Sequence, residues 1–130
     1  MPKFELNKLV RDKLPNEYER MGQKADYREL SADDNKRELI RKIIEETVEI
    51  KINDPVDKII GEIADIRQAT DDLMMAFDIS EDQVKIVQQA KYDKKGGFKS
   101  GAFVKTLELA DDDEWVKYYR ERPDVFPEIK

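Results

Sequence analysis

The chain has 130 residues, 42% of them charged and 39% hydrophobic, which is the length of one domain with apolar material for only a thin core. It contains no cysteine and no histidine; this excludes disulfide scaffolds, thiolate or imidazole metal sites, and Ser-His or Cys-His nucleophile pairs, and leaves oxygen-bound ions such as Mg²⁺, Mn²⁺ or Ca²⁺. A net charge of −6 argues against a nucleic-acid partner, and no apolar run nears the about 20 residues of a membrane span, so a cytoplasmic protein with no membrane partner is expected.

The N-terminus lacks the apolar core of a signal peptide. Residues 6–14 (LNKLVRDKL) have short helical spacing through Leu6, Leu9, Val10 and Leu14, and Pro15 interrupts it. One further turn over 16–21 closes at Gly22, a residue suited to the left-handed conformation. Residues 26–30 (DYREL) alternate weakly and predict a short strand. Ser31 opens the first long helix, about 33–53, with Leu39, Ile40, Ile43, Ile44 and Val48 marking its apolar face. Asp54 reads as the cap of a second helix with Pro55 at its first position. That helix runs to about Phe77, with Val56, Ile59, Ile60, Ile63, Ile66 and Met74 on its buried side.

Ser80 with Gln83 reads as a capping box for a third helix, about 81–94, with Val84, Ile86, Val87 and Ala90 apolar. Gly96-Gly97 stops it. Alternation over 102–109 predicts a second short strand, able to pair with 26–30. The tail, 110–130, opens with acidic residues 111–114. Its Trp115, Tyr118 and Tyr119 suggest one amphipathic helix, ended by Pro123 and Pro127, and read as packing residues.

Chemistry concentrates in acidic residues on the two long helices. The first carries Glu45, Glu46 and Glu49, the second Glu62 and Asp65. Glu46 with Glu49, and Glu62 with Asp65, are three apart and share a side of their helix. The two pairs are equidistant from the turn, so an antiparallel hairpin brings them level. Four carboxylates so placed repel one another, and a divalent cation resolves the conflict. Helical-wheel angles put Glu46 and Glu62 at the edges of the apolar stripes, with Glu49 and Asp65 further out. That arrangement also fits a solvated acidic surface, and spacing alone favours neither reading. Asp71 and Asp72 read as surface charge.

Polyphosphate binding also needs cations. Lys8, Arg11 and Lys13 form one cluster; Lys91, Lys94 and Lys95 form another before the double glycine. Two glycines permit close backbone approach to a ligand. Lysines at a helix C-terminus also complement the helix dipole, and glycine ends helices.

EETVE followed by EIAD resembles the EExxE…ExxD signature of MazG-like nucleotide pyrophosphohydrolases. KLVRDKLP and AKYDKKGGF are similar to the flanking segments of its phosphoribosyl-ATP pyrophosphohydrolase-like subgroup. The likeness covers residues 6–109, so a catalytic domain over 1–109 and a helical tail over 110–130 are expected. It implies an all-α fold whose helical hairpin builds a four-helix unit, through a homodimer or homotetramer. It implies Mg²⁺, with Mn²⁺ as substitute, on Glu46, Glu49, Glu62 and Asp65. Glu45 is then a ligand or base, and Glu45 and Glu46 the catalytic carboxylates. Lys8, Arg11, Lys91, Lys94 and Lys95 would hold substrate phosphates. The implied reaction hydrolyses a nucleoside triphosphate at the α–β phosphoanhydride, giving monophosphate and pyrophosphate in nucleotide-pool house-cleaning. Arg67 and Gln68 after EIAD depart from the family's Leu/Glu-rich continuation and imply altered substrate preference. Phosphoribosyl-ATP hydrolysis, a non-catalytic nucleotide-binding relative, and an all-helical interaction module stand as alternatives.

Overall fold

The computed structural model describes all 130 residues. It is all helical: α1 (Leu14–Arg20), α2 (Ala32–Glu49), α3 (Val56–Ala76), α4 (Glu81–Lys95) and α5 (Trp115–Arg120). The chain divides into two compact units, Met1–Lys91 and Tyr92–Lys130. No helix is long and apolar enough to cross a membrane.

In the first unit α2 and α3 pack together. Ser31 caps α2 by accepting from the Asp34 amide at 3.2 Å. The helix ends at Glu49, short of the expected 53, because Asp54 organises a turn there. Its carboxylate accepts from the Lys51 amide and from Lys58 Nζ, both at 3.0 Å. Lys58 Nζ also donates to the Glu49 carbonyl at 3.4 Å, which satisfies an end group of α2. Asp54 therefore shapes the turn, and the N-cap position of α3 falls on Pro55 without a side-chain cap. At the far end of the hairpin, Lys36 lies over the Phe77 ring, 4.8 Å from its centroid. Contacts pairing 49 with 58 and 36 with 77 establish the antiparallel alignment.

The seam between these helices is thin. Leu39 (4% exposed) and Ala69 (6%) are its buried apolar residues. Ile43 of α2, Ile50 just beyond its end, and Ile59, Ile66, Leu73 and Met74 of α3 are half-buried around them. The remaining expected core positions are not enclosed. Ile40, Ile44 and Val48 on α2, and Val56, Ile60 and Ile63 on α3, are exposed. Each helix carries apolar residues over a wider arc than one partner helix can cover, so a second row on each stays uncovered.

Three expectations from the sequence change. Neither 26–30 nor 102–109 is a strand. An isolated strand pair is marginal without a sheet or helix to cover a hydrophobic face, and both segments are exposed apart from half-buried Leu30 and Leu109. Residues 6–13 are not helical. Pro15 stands in the first turn of α1, where its missing amide hydrogen has no partner to lose. Gly22 after α1 does take the left-handed conformation, with φ +78°.

The capping box of α4 forms as expected. The Ser80 amide donates to Gln83 Oε1 at 2.7 Å and the Gln83 amide to Ser80 Oγ at 3.1 Å. In the second unit, α5 gathers Tyr118 and Tyr119 with Phe126, the Tyr119–Phe126 centroids lying 5.0 Å apart edge to face. Arg120 pairs with Glu128 through Nε at 2.8 Å.

Leu39→Ala removes much of the little apolar burial in the seam. It is expected to cost about 2–4 kcal/mol of unfolding free energy, and Ser31→Ala about 1 kcal/mol. Urea denaturation followed by circular dichroism measures both.

Candidate metal centre

The seam that places Leu39 and Ile43 inside also places Glu46 inside. Leu39, Ile43, Glu46 and Ile50 form one row at spacings of four, three and four, and Glu46 is 6% exposed. On α3 the corresponding row is Ile59, Glu62, Ile66, Ala69 and Leu73, with Glu62 half-buried. Two carboxyls thus occupy positions that packing alone would give to apolar residues. They lie within the seam, further in than the wheel angles suggest.

Around them two sets of carboxylates converge. Glu45, Glu46 and Glu49 bring one oxygen each within 4.8 Å of one another, and so do Glu46, Glu62 and Asp65. Glu46 belongs to both sets and joins the two helices. Glu45 and Asp65 are half-exposed and Glu49 is exposed, so the cluster opens to solvent at its edge.

Protonation follows from this crowding. A hydrogen bond to Glu46, helped by burial and by the negative charge of Glu49 and Glu46, pushes the Glu62 carboxyl up to about 7. Burial works against an ionised Glu46, but hydrogen bonds from Glu62 and from Lys42 outweigh it and hold Glu46 below the usual carboxylate range. Of the two carboxyls, Glu62 is therefore the one that holds a proton more tightly and Glu46 the one that stays ionised. Glu62 Oε2 remains buried without a hydrogen-bond partner. Buried acceptors are rarely left so, and an all-oxygen donor set with an orphaned oxygen suits a hard divalent cation.

Three cations meet the cluster. Lys42 Nζ lies 3.0 Å from Glu46 Oε1 and 3.7 Å from Glu45 Oε2. Lys8 Nζ lies 3.4 Å from Glu45 Oε1. Arg11 Nη2 donates to Asp65 Oδ1 at 2.6 Å. Side chains in the last pair are 58% and 38% exposed, and such surface pairs contribute about 0–1 kcal/mol.

Of the residues singled out from sequence, Glu45, Glu46, Glu49, Glu62, Asp65, Lys8 and Arg11 come together here. Lys91, Lys94 and Lys95 are exposed on the last turns of α4, with Lys94 and Lys95 in the second unit. Gly96, at φ +79° with its amide on the Tyr92 carbonyl at 2.8 Å, terminates that helix. Sequence reasoning missed Lys42. Its signal was present, since a lysine four residues before Glu46 shares its helix face.

The chain matches no family model, no curated protein and no solved structure.

The Glu62 proton has a thermodynamic sign. The folded Glu62 carboxyl titrates near 7 and an unfolded one near ~4.3, so between those values the folded state holds the extra proton. The associated stability is complete below the unfolded value and is lost as pH rises through the folded one. Glu62→Gln keeps a donor toward Glu46 at every pH. The metal-free variant is expected to match wild type at or below about pH 4 and to melt increasingly higher as pH rises to about 8, read as Tm. A Tm difference that stays constant with pH would place the proton elsewhere.

Proposed function

We infer that this chain is a divalent-metal-dependent hydrolase of nucleoside triphosphates. Its expected products are the monophosphate and pyrophosphate, from attack at the α–β anhydride. The observation that carries this reading is the pair of carboxylate sets joined by Glu46, with the buried, partnerless oxygen of Glu62 between helices. The likeness of EETVE…EIAD to the MazG-like signature supplies the reaction class, because these are the residues that converge.

Mg²⁺, or Mn²⁺ in its place, would be held by Glu46, Glu49, Glu62 and Asp65. When bound, such an ion neutralises phosphate oxygens and lowers the pKa of coordinated water. The protein's own groups would complete the chemistry. Glu45, at the open edge of the cluster, would accept the proton of the attacking water. The water oxygen would bond to the α-phosphorus as the bridging oxygen leaves with pyrophosphate. Lys8 and Arg11, already at the cluster, would meet the negative charge that accumulates on the leaving group. Lys42 holds Glu46 ionised and oriented.

The uncovered apolar rows on α2 and α3 favour a further element of this reading. Ile40, Ile44 and Val48 with Val56, Ile60 and Ile63 would be covered by the hairpin of a second copy, making a four-helix unit around the carboxylates.

The test is release of pyrophosphate and monophosphate from a panel of ribo- and deoxyribonucleoside triphosphates with Mg²⁺ or with EDTA. Metal-dependent release is expected, falling by about 10²-fold or more in Glu46→Gln. A panel that yields no product, together with a Tm indifferent to Mg²⁺, would leave the helical interaction module as the surviving reading.

A further inference from the structure

Residues 8–11 cross the acidic end of the hairpin as a strap. This segment has no helix or strand, and Asn7 just before it takes a left-handed conformation at φ +46°. Leu9 and Val10 are half-buried. On either side of them the strap places one cation on each long helix: Lys8 on Glu45 of α2 at 3.4 Å, and Arg11 on Asp65 of α3 at 2.6 Å. These two ion pairs tie an otherwise irregular segment to carboxylates of the metal centre.

We propose that the Lys8–Arg11 strap is an internal occupant of this centre, which a divalent cation displaces. The inference rests on the divalent-ion reading above and adds how the chain regulates access to the site. An ion taking an Asp65 oxygen would stand beside the Arg11 guanidinium, and the repulsion of two cations sharing one carboxylate opposes that arrangement. The guanidinium side is the weaker holder. Arg11 is more than half exposed, so water readily replaces Asp65 as its partner. Lys8 is likewise solvated on leaving Glu45.

The exchange leaves the charge of the site nearly unchanged. In the metal-free state Lys8, Arg11 and Lys42 offset the carboxylates; with metal, the ion takes over from Arg11 at Asp65, and its charge beside Glu45 weakens the hold on Lys8. Lys42 is set apart from the other two. It belongs to α2 itself, four residues from Glu46, and is mostly enclosed, so it stays when they leave. The freed strap then presents two cations beside a metal-occupied site, where an anionic triphosphate is attracted to both. Empty, the same cations lie on carboxylates and are not available to phosphate. Metal thus precedes nucleotide in the favoured order of binding.

Two measurements on the full chain test this without an activity assay. Limited trypsin digestion reads whether Arg11 is free, because the protease must take the arginine side chain into its own pocket. Adding Mn²⁺ to wild type is expected to speed cleavage after Arg11 by about two- to fivefold, relative to cleavage after Lys105 in the same digest. An unchanged or slower ratio at Mn²⁺ concentrations that saturate the protein would overturn the proposal.

The second is Mn²⁺ affinity without nucleotide, from the electron paramagnetic resonance of the free ion. Arg11→Gln removes the competing charge and is expected to bind Mn²⁺ about two- to fivefold more tightly than wild type, with Arg11→Lys between them. Equal affinities would remove the strap's role and leave the metal centre intact. Absence of Mn²⁺ binding by wild type and Arg11→Gln alike would remove the metal centre, and the strap's role with it.

Discussion

The mutual repulsion of carboxyls inside a helix seam governs this structure. Glu46 and Glu62 face each other where Leu or Ile would pack, and burial of like charges is costly unless something relieves it. Three reliefs operate together. Glu62 takes up a proton more readily than an ordinary carboxyl, Lys42 pairs with Glu46 from the same helix, and Lys8 and Arg11 reach in from the N-terminal segment. Each is partial, and Glu62 Oε2 is left without a partner. An ion with several oxygen ligands would answer all of these needs at once.

The thin core is the other side of the same design. The hairpin buries Leu39 and Ala69 and gives seam positions to Glu46 and Glu62. Carboxyls at those two positions leave fewer places in the seam for apolar side chains. This also explains why apolar residues persist outside the seam. Ile40, Ile44 and Val48 cannot contribute within a two-helix unit, and they fit a chain whose long helices meet more than one neighbour.

Much of this is legible in the sequence, for reasons that can be named. Helical spacing locates α2, α3 and α4 because their apolar residues recur over many turns, and local signals fix their starts at Ser31 and Ser80. Equal distances from one turn bring Glu46 and Glu49 level with Glu62 and Asp65. Less visible is anything set by rotation about a helix axis. Two adjacent apolar rows on α2 look alike in sequence, and packing alone decides that Leu39 and Ile43 lie inward while Ile40 and Ile44 do not. Lys42 is hidden in the sequence because charged residues crowd the whole length of α2. The short alternating segments mislead because alternation over five or eight residues says nothing about a partner strand. Lys8 and Arg11 look like phosphate ligands in the sequence, whereas the structure shows which carboxylates they hold.

The turn joining α2 and α3 carries a constraint of its own. Asp54 fastens it through the Lys51 amide and Lys58, so that its length is set by hydrogen bonds and not by chance. One residue more or less in a helix shifts the later positions by about 1.5 Å and about 100°. Glu62 and Asp65 would then face another side of α2 although every carboxylate was retained. The turn therefore acts as a gauge block: the span from Glu49 to Lys58 sets the register in which the carboxylates of the two helices meet.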